Sequence, residues 1–318
     1  MKNVLVILPL NEEQKARLEG LGSDCVFTYT SDAAVTEEQI QDANIILGNP
    51  APGKIHGSEK LEFLQLAASG ADGYVKPGVL KPGTKLCSST GAYGQAVSEH
   101  AFALTLSLVK KLYLYRDDQN AAVWGDRGAV SSLRGAVVAV VGLGDIGLQY
   151  ARLAHAVGAH VIGLKRRSSA CPEGVDELCL TDELDQVLPR ADVVCSFLPG
   201  TASTYHLFND ERFALMKPGA FFVNCGRGTA IDNEALCRAL QNGVIAAAAA
   251  DVMEIEPLPA ESPLWKQPNM VITPHISGGF HLPATLENIV EISFGNFAAW
   301  LKGESLRNEI DFSTGYKK

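Results

Sequence analysis

The sequence predicts an α/β protein of two domains, each built on a parallel sheet wrapped by helices. Three observations predict it. Apolar runs of strand length alternate with helix-length amphipathic segments from end to end, the pattern left by crossover helices on parallel strands. Gly- and Pro-rich clusters such as NPAPG and KPG punctuate the alternation. At 318 residues, 47% hydrophobic and 20% charged, the chain is globular in composition and longer than a single core ordinarily organises.

In the first hundred residues the predicted strands are VLVIL at 4–8, CVFTYT at 25–30, NIILG at 44–48, LEFLQLA at 61–67 and TKLCSS at 84–89. A helix follows at 98–116, SEHAFALTLSLVKKLYLYR, with Ser98 as its N-cap and apolar side chains around most of its circumference, so it is expected to be buried. A second strand series begins with AVVAVVG at 136–142 and runs through AHVIGL, ADVVCSFL, GAFFVNC, VIAAAAA and NMVIT. Alanine propensity alone would make Ala246–Ala250 helical. Its shortness and its place in the alternation, ending at Asp251, assign it to a strand. One long helix from about Pro283 to Trp300 returns the chain toward the first domain.

Composition narrows the function. A net charge of −9 argues against a broad nucleic-acid-binding surface. Seven cysteines without a CxxC pair fit free thiols in a reducing, cytoplasmic setting, and neither they nor the histidines show metal-ligand spacing. The start MKNVLVILPL reads as a first strand, not a signal peptide, and no run approaches the roughly 18 apolar residues of a membrane span.

The stretch VVGLGDIG places Gly142, Gly144 and Gly147 in a G-x-G-x-x-G pattern after an apolar strand and before a helical segment. With the strand AHVIGL beyond, this is the βαβ unit of a dinucleotide-binding Rossmann domain. Gly142 makes the tight turn, Gly144 lets backbone approach a pyrophosphate, and Gly147 allows close packing, with the phosphates expected at the amides of Asp145 and Ile146. An acid at the end of the second strand would accept bonds from the adenine ribose. Here Lys165, Arg166 and Arg167 stand there with Ser168 and Ser169, an anion pocket that predicts NADP(H) over NAD(H). If the cations form a loop that touches nothing, NAD(H) is the cofactor.

Three later strands end on polar residues in NCGRG, DVMEIEPLP and TPHISGG. Strand C-termini carry the ligand site of a doubly wound sheet, so Arg227, Glu256 and His275 are expected to converge. A histidine that trades protons near neutral pH, an acid to orient it and an arginine to hold a carboxylate suit reduction of a 2-oxo acid.

These motifs, with SSLRGAVVAVVGLGDIG, ADVVCSFLPGTAST and FALMKPGAFFVNCGRG, resemble the D-isomer-specific 2-hydroxyacid dehydrogenase family over essentially the whole chain. The resemblance implies a flavodoxin-like substrate domain from residues 1–97 plus 284–318, a Rossmann cofactor domain at 98–283, and a homodimer. It implies catalytic roles for Arg227, Glu256 and His275, and places Asp251 beside the nicotinamide carboxamide with Leu198, Pro199 and Cys225 lining the cofactor. It also implies main-chain donors from Ser69, Gly70 and Ala71 for the substrate carboxylate and Tyr93 bordering the pocket, with Trp265 at the pocket, at a subunit contact or simply packed. The family usually takes NAD with an acid where this chain has Lys165, so the departure points to NADPH-dependent members that reduce glyoxylate and hydroxypyruvate. The rival expectations are an NAD-dependent member acting on D-lactate or 3-phosphoglycerate, and a non-catalytic nucleotide-sensing module like the family's corepressors.

Overall fold

The computed structural model describes residues 1–167 and 169–317, and the chain divides into two compact units, Met1–Tyr93 with Leu282–Lys318, and Gly94–His281. In the first, β1 (Lys2–Val6), α1 (Glu12–Leu21), β2 (Cys25–Tyr29), α2 (Glu37–Asp42), β3 (Ile45–Leu47), α3 (Pro52–Ile55), β4 (Phe63–Gln65) and β5 (Lys85–Cys87) build a five-stranded parallel sheet. Its order β2-β1-β3-β4-β5 is flavodoxin-like. The central strand β3 is apolar at every position, as a strand covered on both faces must be: Ile45, Ile46 and Leu47 are all buried. Asn11 and Thr36 each cap a helix through a reciprocal bond with the glutamine three residues on.

The second unit runs through α4 (Gly94–Val109), α5 (Leu112–Asn120), β6 (Val137–Val141), α6 (Asp145–Ala156), β7 (His160–Lys165), β8 (Glu177–Leu180), α7 (Leu184–Val187), β9 (Val193–Ser196), α8 (Asp210–Leu215), β10 (Phe221–Asn224), α9 (Asn233–Gln241), β11 (Ala247–Ala250) and β12 (Met270–Ile272). The seven strands are parallel in the order β12-β11-β10-β9-β6-β7-β8, a Rossmann sheet with one added strand. The chain reverses direction across the sheet at β6 and β9, the switch point outside which such sheets bind ligands. The alanine run is a buried strand, and Phe222 with Val223 packs beside it.

The return helix α10 (Pro283–Lys302) buries Ile289, Val290, Phe294 and Phe297 against the first unit's sheet, and the chain closes with β13 (Ile310–Asp311) and β14 (Tyr316–Lys317). Three expectations are corrected. The predicted 98–116 helix is two helices, broken at Lys111, whose φ of 57° lies in the left-handed region. It begins at Gly94, so Ser98 is interior, its hydroxyl donating to the Gln95 carbonyl. The edge strand β8 was not anticipated, because its four residues are only half-buried and its apolar run is just three residues long.

Candidate active site

The glycine loop follows β6, where the three glycines meet different needs. Gly142 has φ +97°, and a β-carbon there would come within 2.9 Å of the Phe197 carbonyl carbon. One on Gly147 would sit 2.4 Å from the Gly142 carbonyl oxygen, so the helix lies against the turn only because that side chain is missing. At Gly144 the same test meets nothing within 4 Å. No side chain caps α6 at Gly144, which leaves the first amides of the helix without an intrahelical partner and facing an approach that is sterically open. Among the described residues, the buried oxygens Asp145 Oδ2 and Ser196 Oγ have no hydrogen-bond partner, and both belong to this strand-end region. An open helix N-terminus with free backbone amides suits the diphosphate of a dinucleotide.

Leu198 and Cys225 are buried beyond the ends of β9 and β10, and the Pro199 carbonyl accepts the Thr204 hydroxyl at 2.6 Å. Burial, and secondarily the Asp251 charge, push the Cys225 thiol up, so it stays neutral. At the end of β7, Lys165 is half-buried and donates to Ser169 Oγ at 3.0 Å, while Arg166 and Arg167 are exposed. Ser168 lies outside the described residues.

The strongest local order surrounds Asp251, 1% exposed at the end of β11. Its Oδ1 accepts the Thr273 hydroxyl at 2.6 Å and the Ile276 amide at 3.0 Å. Its Oδ2 accepts the Ser277 hydroxyl at 2.5 Å and amide at 3.1 Å, and its carbonyl accepts the His275 amide at 2.7 Å. Burial alone would raise this carboxyl, but the Ser277, Thr273 and Ile276 hydrogen bonds outweigh it and hold it below the usual carboxylate range. The turn so pinned carries His275 at φ +53°, a left-handed conformation that a histidine adopts only when its surroundings enforce it.

His275 Nδ1 lies 2.7 Å from Glu256 Oε2, and the other Glu256 oxygen accepts the Met253 amide at 2.8 Å. A carboxylate at Nδ1 makes that nitrogen the donor and leaves Nε2 on the half-exposed edge of the ring. Arg227 is half-buried beyond β10, its Nη1 donating to the Gly226 carbonyl at 3.0 Å. Gly228 next to it has no room for a side chain, because a β-carbon would fall 1.9 Å from the Met253 carbonyl carbon. Backbone therefore meets backbone where the Arg227 loop touches the Glu256 loop.

In the first unit, the turn after β4 carries Ser69, Gly70 and buried Ala71. Asn49 Oδ1 holds the Ala68 amide at 3.2 Å just before it. The Tyr93 hydroxyl donates to the Ala67 carbonyl at 2.7 Å, and burial pushes its pKa up to about 12. Trp265 is half-exposed, its indole nitrogen donating to the Pro259 carbonyl at 3.0 Å.

Residues 102–277 match the family model described as D-isomer specific 2-hydroxyacid dehydrogenase, NAD binding domain. A glyoxylate/hydroxypyruvate reductase B of Escherichia fergusonii is 36% identical over 222 residues, 68% of each chain. The chain belongs to the D-isomer-specific 2-hydroxyacid dehydrogenase family. A crystal structure of a family protein from Aeromonas salmonicida superposes with a TM-score of 0.84 at 31% identity, covering 98% of this chain and 99% of that one. An NADPH-dependent glyoxylate/hydroxypyruvate reductase from Sinorhizobium meliloti, solved with NADP and sulfate, gives 0.83 at 25% identity, covering 99% and 100%. This dehydrogenase is accordingly an NAD(P)-dependent oxidoreductase of small 2-hydroxy and 2-oxo acids.

Sequence reasoning missed two histidines to which it gave no chemistry. His100 on α4 places Nε2 at 3.0 Å from Thr273 Oγ1 and 3.7 Å from Asp251 Oδ1. His206 places Nε2 at 2.6 Å from Glu254 Oε1. Neither has a spacing signal, since their partners lie 173 and 48 residues away. Among the described residues no cluster of three or more His, Cys, Asp or Glu is arranged to hold a metal ion, and no helix is long and apolar enough to cross a membrane.

Proposed function

We propose that this dehydrogenase reduces a small 2-oxo acid, glyoxylate or hydroxypyruvate, to the hydroxy acid with NADPH as preferred donor. The His275–Glu256 contact at 2.7 Å carries the reading. The bound dinucleotide supplies the hydride that the carbonyl carbon receives. His275, protonated, gives its Nε2 proton to the carbonyl oxygen as that oxygen gains charge, and withdraws it in the reverse direction. Glu256 keeps the proton on Nδ1 and stabilises the imidazolium. Arg227 grips the substrate carboxylate and polarises the adjacent carbonyl.

For the cofactor, the amides of Asp145 and Ile146 with Gly142, Gly144 and Gly147 hold the diphosphate, and Leu198, Pro199 and Cys225 line the nicotinamide half. Lys165, Arg166 and Arg167 hold the 2′-phosphate, and three cations where an acid would repel that group support the preference. The NADPH-dependent reductase of Sinorhizobium meliloti supports it by likeness.

We also infer a homodimer in the cytoplasm. Trp124 is fully exposed and Leu112, Val123 and Val130 are about half exposed, apolar side chains that a subunit contact would cover. Sedimentation equilibrium tests it, and a monomer at micromolar concentration overturns it.

Steady-state loss of reduced-nicotinamide absorbance with NADPH and NADH against glyoxylate, hydroxypyruvate and pyruvate tests the main reading. The expected result is a kcat/KM at least about tenfold higher with NADPH. An NADH advantage would keep the reductase and remove the cations from its cofactor site. Dinucleotide binding without turnover of any oxo acid would favour a nucleotide sensor.

A further inference from the structure

The loop that follows Asp251 carries two acids, Glu254 and Glu256, and each finds a histidine. Glu256 meets His275, and Glu254, two residues earlier, meets His206 with Nε2 to Oε1 at 2.6 Å. The second pair is partly shielded: its side chains are 30% and 25% exposed, and the Tyr205 ring lies flat on the imidazole with centroids 4.0 Å apart. The Tyr205 hydroxyl adds a 3.4 Å contact to the same Glu254 oxygen.

His206 is itself fixed from behind. Its φ is +47°, and its amide donates to the Thr229 carbonyl at 2.9 Å. Two residues on, Phe208 pairs with Ile231 as parallel strands do. The segment 204–208 thus runs beside 229–232, the chain that leaves Arg227. On the other flank, a β-carbon on Gly200 would lie 3.4 Å from Arg227 Cγ, and Gly228 admits no atom between itself and Met253.

We propose that His206 and Glu254 form a positioning pair that clamps the Glu256 loop onto the Arg227 loop. The clamp sets the distance between the guanidinium that grips the substrate carboxylate and the acid that orients His275. This rests on the catalytic roles proposed above for Arg227 and Glu256, and neither His206 nor Glu254 is given contact with substrate. The physical need is clear, since Glu256 and Arg227 sit on loops beyond different strands, and a loose loop between them would blur the geometry on which proton delivery depends.

The test uses the full-length enzyme. His206→Asn tolerates a left-handed backbone yet is too short to reach Glu254. Glu254→Ala removes the acceptor, and Glu254→Gln keeps an oxygen for the imidazole N–H. The first two are expected to raise KM and lower kcat for the oxo acid, together about tenfold in kcat/KM, with NADPH affinity held within about twofold. Glu254→Gln should recover most of the loss, and the double variant His206→Asn with Glu254→Ala should be no worse than either single change. A purely structural role would lower the melting temperature and the active fraction without moving KM. Amide hydrogen exchange over 252–256 is read in parallel, expected about tenfold faster in His206→Asn. Unchanged kinetics in a wild type that turns over would overturn the pair. If the wild type turns over no oxo acid, the catalytic reading has failed by itself, and unchanged exchange over 252–256 still rejects the clamp.

Discussion

Two short stretches of the second unit, the turn at 273–277 and the cations at 165–167, hold their functional groups in opposite ways. The turn around His275 is over-determined: Asp251 alone accepts four side-chain and backbone bonds from it through its carboxylate and a fifth through its carbonyl. The cation loop is open, with Lys165 held by one hydroxyl and the guanidinium-bearing residues exposed. The difference fits the tasks proposed for the two stretches. Delivering a proton requires an atom fixed to a fraction of an ångström, whereas recognising a phosphate requires charge in reach, which flexible side chains supply.

The contrast breaks most sharply at His275. His275→Ala should lower kcat/KM about a thousandfold, the usual weight of a positioned acid, while leaving thermal stability nearly unchanged because the ring is half-exposed. Turnover within about tenfold of wild type, measured at saturating cofactor, would take His275 out of the chemistry.

Asp251→Ala should show the reverse pattern, a large loss of stability with activity falling alongside it. Stranding the Thr273 and Ser277 hydroxyls and two amides should destabilise the fold by about 3 kcal/mol in urea titration. The sign of the pH dependence follows from the depressed Asp251 carboxyl. Its contribution is fully present above the ordinary carboxylate value and is lost as pH falls toward and through the lowered one. The stability gap between wild type and Asp251→Asn should therefore be constant above about pH 5 and shrink below about pH 4. A gap that widens in acid would contradict the hydrogen-bonded anion.

In the open loop, Arg166→Ala and Arg167→Ala should each lower the NADPH-to-NADH preference about tenfold, read as the ratio of kcat/KM values, without a change in melting temperature. An unaltered ratio in the double variant would remove both from the cofactor site. The smallest effect sharpens the same comparison. Raising salt from about 0.05 to 0.2 M should weaken NADPH binding severalfold through screening of the exposed cations. The rate of the bound complex should stay put, because Asp251 is buried and the His275–Glu256 contact at 2.7 Å is far shorter than the screening length.

Much of this was legible without coordinates. The glycine loop could be read because its requirements are local: a turn, an open approach and a close packing contact within six residues. The alanine strand was legible from context against its own propensity, since alternation with helices outweighed it. What escaped lacked a local signal. The break at Lys111 sits at a lysine pair inside an apolar segment whose pattern continues on both sides, and β8 is a half-buried edge strand paired on one side only. His206 and His100 look like surface histidines in the sequence, because what makes them matter is a carboxylate or hydroxyl brought in from a distant strand end.

Sequence by itself determined the α/β class, the dinucleotide loop and the residue types available for acid–base work, because hydrophobic periodicity and glycine spacing are properties of neighbouring residues. Only the tertiary structure decided that Glu256 faces His275 while Glu254 faces His206. It alone decided too that Asp251 spends its carboxylate on holding a left-handed histidine, and that Gly228 lets two loops touch backbone to backbone. Those contacts join strand ends that the sheet order brings side by side, and sheet order arises from packing all the strands and helices at once.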